Sequence, residues 1–236
     1  LSSQDTVYTG DAQEVSYFKN CVIEGTTDYI CGDGNPVFDE CTLSMYSYSD
    51  MEAVASYIVA SKAKGKHGYI FNNCKIVTTS STGLKATSKN ILARAWGAGT
   101  VTWLNTEVES ANMIDPVAYK DMNAKVKDAH YYEYNTHLAD GTKVSTSSRA
   151  AGVNKMTDEE ASAVKLEDYF EGWTPAYYTS GDVKPEPVAA DYTAVDEAVK
   201  AAEALNKDDY EDFSAVTKAI EAVDRTLTSE DQAKVD

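Results

Sequence analysis

Asp5 and Asp28 stand 23 residues apart in a chain whose sequence repeats with a period of about twenty. Phe18-Lys19-Asn20-Cys21-Val22-Ile23 recurs as Phe38-Asp39-Glu40-Cys41-Thr42-Leu43 and again as Phe71-Asn72-Asn73-Cys74-Lys75-Ile76. A fainter copy follows at Trp103-Leu104-Asn105-Thr106-Glu107-Val108. A period of that length, built on alternating strand-like apolar positions, marks a stack of β-coils. If one coil is one repeat, the two aspartates occupy similar places on adjacent coils, and stacked strands lie about 4.8 Å apart. Two carboxylates that close can divide labour, one staying ionised while the other carries a proton.

The elements that must position them are strands. Residues 1–109 are rich in β-branched and aromatic side chains, Gly and Asn, with short alternating runs such as Tyr57-Ile58-Val59-Ala60. Asn72-Asn73 and Asp33-Gly34-Asn35-Pro36 supply turn chemistry. The 33-residue step from Phe38 to Phe71 is a coil with an insertion in Tyr46–Lys66, the kind of projecting loop that builds a binding cleft. Tyr46, Tyr48 and Tyr57 near that loop are candidates for stacking on a sugar ring, or equally for an ordinary Tyr-rich surface. Residues 110–178 are less regular, with a Tyr-rich strand at Tyr131–Asn135 and a capping box, Thr157 to Glu160, opening a helix. That helix is expected to cover an open end of the stack. A linker at 179–190 carries two prolines in three positions, and beyond it apolar residues fall at helical spacing: Val195, Ala198, Val199, Ala202 and Leu205, then Phe213, Val216, Ile220, Val223 and Leu227. Ser229 and Gln232 have the spacing to cap a third helix. The expected organisation is a β domain over 1–178, the linker, and a small helical module over 191–236.

Bulk composition narrows the classes. The 236 residues are 43% hydrophobic, enough for a sizeable core, and contain 16 Tyr. A net charge of −17 argues against nucleic acid, which demands clustered Lys and Arg. No run of eighteen apolar residues is present to span a membrane. The four cysteines contain no C-x₂-C pair and the three histidines, His67, His130 and His137, are scattered, so no metal motif is apparent. Cys21, Cys41 and Cys74 share one phase of the repeat, which favours a buried column of small apolar side chains over a disulfide.

Four motifs in order carry a resemblance. Gln4-Asp5-Thr6-Val7-Tyr8 resembles Q-D-T-L-Y; Cys21-Val22-Ile23-Glu24-Gly25-Thr26-Thr27-Asp28-Tyr29-Ile30-Cys31-Gly32 resembles C-x-I-E-G-T-V-D-F-I-F-G. Leu92-Ala93-Arg94-Ala95-Trp96 resembles L-G-R-P-W, and Phe170-Glu171-Gly172-Trp173-Thr174-Pro175 resembles a closing segment. Residues 1–178 are thus similar to the pectin methylesterases, carbohydrate esterases built on a right-handed parallel β-helix.

The resemblance implies a mainly β fold and a role for each matched residue. Asp28 would be the nucleophile on a galacturonate methyl ester, and Asp5 the general acid for methanol and then the base for water. Gln4 would stabilise the oxyanion, since a side-chain amide can donate to developing negative charge. Arg94 would hold the Asp28 carboxylate in its charged form, while Trp96, Tyr29 and Cys31 would line the sugar subsites. It implies methylated homogalacturonan as partner, no cofactor, no metal, and a secreted or cell-surface bacterial protein. Cys31 stands where the family pattern has Phe, and Ala93 and Ala95 where it has Gly and Pro. The family's coils before Q-D-T, one bearing another oxyanion Gln, have no counterpart, so the chain is expected to be part of a longer protein. The tail, through Tyr192–Asp196, Ala204-Leu205-Asn206 and Tyr210-x-x-Phe213, resembles the FIVAR modules of bacterial surface proteins. These are read as spacers or carbohydrate contacts. Two alternatives stand beside the esterase: another β-helix pectin-active lyase or hydrolase, and a non-catalytic β-helix surface protein.

Overall fold

The computed structural model describes residues 4–45, 56–62, 67–78, 90–176, 178, 190–210, 212–225, 227 and 235. Tyr46, Tyr48, most of the inserted loop, residues 179–189, Ser229 and Gln232 lie outside them. The chain divides into two compact units, Leu1–Pro185 and Glu186–Asp236.

In the first unit each coil contributes strands in the same order. The first runs through β1 (Val7–Thr9), β2 (Val15–Lys19) and β3 (Val22–Gly25). The second runs through β4 (Thr27–Gly32), β5 (Asn35–Asp39) and β6 (Thr42–Met45). The third has β7 (Tyr57–Ser61), β8 (Tyr69–Asn72) and β9 (Lys75–Val77), and the fourth β10 (Ile91–Ala95), β11 (Thr100–Leu104) and β12 (Glu107–Val108). A fifth adds β13 (Tyr119–Asp121) and β14 (His130–Tyr134), with β15 (Asn154–Lys155) on the edge of β14. Corresponding strands pair in parallel to form three sheets of five, six and four strands: a parallel β-helix.

The corner between the second and third sheets is one residue in left-handed backbone. Asn20, Glu40, Asn73, Asn105 and Asn135 have φ between 50° and 53°. Asn suits this position because its short polar side chain tolerates the left-handed region. Behind each corner the same interior position recurs. Phe18, Phe38, Phe71 and Trp103 stack with ring centroids 4.8, 4.7 and 4.0 Å apart. The register sets Glu133 opposite Trp103, and Arg149 ends the column by donating to both Glu133 oxygens, at 2.9 and 2.8 Å, in full burial. Cys41 and Cys74 are buried and Cys21 partly so, all as free thiols; Cys41 and Cys74 donate to the Phe18 and Phe38 carbonyls respectively.

The helix expected after the last coil forms as α1 (Asp158–Ser162), with the Thr157–Glu160 capping box in place. Its position corrects the expectation. It does not close the open end; with the turn Leu166–Tyr169 and Phe170 it lies along the outer face of the six-stranded sheet, on Val37, Ile70 and Leu104. The reason is that this outer face is apolar and needs a cover, whereas the end of the stack is closed by the segment 136–153, through Arg149, Leu138, Val144 and Val153. In the second unit, α2 (Thr193–Glu203) and α3 (Ser214–Glu221) line one hollow with Val195, Val199, Val216 and Ile220.

Candidate active site

The five-stranded sheet, with the residues that flank its strands, carries Gln4, Asp5, Asp28, Tyr29, Cys31, Arg94 and Trp96. Its first pairing keeps a constant offset from Gln4 opposite Thr27 to Thr9 opposite Gly32, so Asp5 stands opposite Asp28. Both aspartates adopt left-handed backbone, with φ of 53° and 48°. Facing positions in the same uncommon conformation send their side chains out in the same sense. Gly32, at φ 126°, is required here, because any Cβ would strike the Thr9 carbonyl. On the other side of β4 the register shifts: Thr27 faces Tyr57 while Ile30 faces Val59, so Asp28 and Tyr29 together oppose one residue. This bulge re-aims Asp28 away from the regular pleat.

Beyond the bulge one outward row runs across the sheet: Tyr8, Cys31, Ala60, Arg94 and Lys120 face one another in register. Arg94 lies two strands from Asp28. It reaches back over β7, its guanidinium 4.2 Å from the centre of the Tyr57 ring. Its Nε donates to Asp28 Oδ1 at 2.7 Å and its Nη2 to Oδ2, a two-pronged grip on a carboxylate that is 7% exposed. That hydrogen bond raises the arginine's already high pKa, so its charge is permanent. Two positions further along the strands, Lys62 stands 5.1 Å over the Trp96 ring and 3.5 Å from Asp33.

The other expected residues divide. Gln4 and Asp5 are exposed, and Trp96 is partly exposed beside Lys62. Tyr29 has no exposed surface; its ring faces the core, because the bulge turns Asp28 out and leaves Tyr29 in, so it cannot line a sugar subsite. Cys31 is 1% exposed and has no wall to offer either; its thiol donates to Asp5 Oδ1 at 3.5 Å. Tyr57 is engaged under Arg94, a use that its sequence neighbourhood did not signal. Ala60 and Lys62 were also missed. Only the strand register reveals them, since nothing local distinguishes a small residue or a lysine at those positions. Among the described residues no group of three or more His, Cys, Asp and Glu is placed to hold a metal ion.

Comparison with known proteins gives this site its context. A family model described as Pectinesterase matches residues 1–172, most of the chain. The chain belongs to the pectinesterase family. Among curated members, "Probable pectinesterase 55" of Arabidopsis thaliana is 28% identical over 166 residues, covering 69% of this chain and 46% of that protein. A pectinesterase of Ralstonia solanacearum is 35% identical over 106 residues, or 42% of this chain and 26% of that one. The solved pectin methylesterase from carrot superposes with a TM-score of 0.60 at 21% identity, over 75% of this chain and 58% of that chain, which shows the shared fold. The chain spans less than half the length of the curated pectinesterases it matches over most of its own length. No helix among the described residues is long and apolar enough to cross a membrane.

Proposed function

We propose that this pectinesterase-family chain carries the reacting pair of a pectin methylesterase, with Asp28 as nucleophile and Asp5 as acid and base. The observation that supports it most is the grip of Arg94 on both oxygens of Asp28, a carboxylate in register with Asp5. A bidentate arginine fixes the orientation of the nucleophile. Asp28 attacks the ester carbonyl carbon of a methylated galacturonate, and the negative charge that develops on the carbonyl oxygen lies within reach of an amide such as Gln4. The bond to the methoxy oxygen then breaks as Asp5 gives its proton, and methanol leaves. A water molecule next gives a proton to Asp5 and attacks the acyl carbon, which frees the galacturonate and restores Asp28. Trp96, beside Lys62, offers a ring face to the sugar chain. In the same reading the protein acts outside the bacterial cell, and the FIVAR-like unit of Glu186–Asp236 is a spacer or carbohydrate contact.

The deciding experiment measures methanol release from highly methylated homogalacturonan. Wild-type protein is expected to release it and Asp28→Asn to fall to background. No methanol from wild type, or undiminished release from Asp28→Asn, overturns the assignment.

A further inference from the structure

Asp5 is exposed and stands two residues ahead of β1. An acid and base that must meet first methanol and then water needs a fixed direction. The donor the structure supplies is the Cys31 thiol, 3.5 Å from Asp5 Oδ1. Cys31 is 1% exposed and held in the outward row between Tyr8 and Ala60, with its backbone in the β1–β4–β7 ladder. It is therefore a rigid support reaching diagonally to a mobile type of group. From this geometry we infer that Cys31 is a positioning residue for Asp5, a hydrogen-bond donor that aims the carboxylate.

Burial, with Asp5 and then Asp28 adding to it, pushes the Cys31 thiol up to about 12. The sulfur thus keeps its proton across the neutral range and always has one to donate. The other charged and titratable groups at this place are Asp28 from β4, Arg94 from β10 and the Tyr57 phenol beside Arg94. Arg94 grips Asp28 and also acts on Asp5 through its charge, while the thiol donates a hydrogen bond to the Asp5 carboxylate. The inference rests on the esterase reading for what Asp5 does, and the contact itself does not. In the acylation half the donor aims Asp5 at the methoxy oxygen, and in the deacylation half it aims the same carboxylate at the water.

Two measurements test this. In methanol release, Cys31→Val, which keeps volume and loses the donor, is expected to lower kcat roughly tenfold with KM within about twofold. Cys31→Ser, which restores a donor, should recover most of the rate. A folded Cys31→Val protein with wild-type kcat overturns the proposal. Independently of activity, the S–H stretching band assigned to Cys31 (absent in Cys31→Val) is expected to move to higher frequency in Asp5→Asn at neutral pH, because a weaker acceptor frees the bond. An unmoved band overturns the contact alone. A moved band with no methanol from wild type instead overturns the esterase reading, and the role given to Asp5 with it.

Discussion

Asp28 depends on the shape of its partner as much as on its charge. A guanidinium presents two parallel donors and stays flat over the Tyr57 ring, whereas an ammonium is a single point charge on a flexible stem. Arg94→Lys is therefore expected to keep the fold and still lower kcat by about a hundredfold, because the nucleophile loses one of its two fixed bonds. A variant within about threefold of wild type in methanol release would show that charge alone suffices. At this scale the sequence was legible where a residue's placement follows from its own motif. Asp28, Arg94 and the 23-residue spacing of the aspartates were readable. Tyr29 and Cys31 were not, since which of two consecutive side chains faces out depends on a bulge that the β4 sequence does not announce.

At the level of strands, the proposed site depends on one position on β7 being small. Ala60 lies in the row between Cys31 and Arg94, beneath the path of the arginine toward Asp28. Ala60→Leu is expected to block that path and cut kcat by roughly a hundredfold, with a thermal midpoint lowered only a few degrees, while Ala60→Gly keeps most of the activity. If the leucine variant is as active as the alanine one, the arginine has another route and the row is not a constraint. The corner residues explain why so much of the fold could be read beforehand. The Phe-x-x-Cys recurrence is at once an interior aromatic, a left-handed corner and an inward thiol, three features that the first three coils repeat in the same order. The placement of α1 was not readable, because an amphipathic helix fits an end or a flank equally well; the row Val37, Ile70 and Leu104 decides it. Glu133 also went unread: a lone carboxylate in a Tyr-rich strand gives no hint of the distant Arg149 that neutralises it.

Across the whole molecule, many tyrosines are held protonated by the fold. Burial raises Tyr131 to about 12, and burial together with the Asp158 hydrogen bond does the same for Tyr134. Each phenol binds its proton more tightly folded than unfolded, where tyrosine titrates near 10. The stability this contributes is complete below about pH 10 and is lost as pH rises through about 12. Urea midpoints are expected to hold steady to about pH 9.5 and fall sharply by pH 12; an unchanged midpoint at pH 12 would contradict it. The register has a different consequence at this scale. From one coil to the next the offset varies, 23 residues between Val7 and Ile30 but 34 between Val59 and Ala93, yet the outward row remains aligned. Apart from the bulge at Asp28-Tyr29, length is absorbed outside the paired strands. The coils therefore tolerate insertions and deletions asymmetrically: the connections can change length while Asp5, Asp28 and Arg94 keep their register. One residue added inside β1 or between Asp28 and Gly32, by contrast, would break the 23-residue offset that sets Asp5 opposite Asp28.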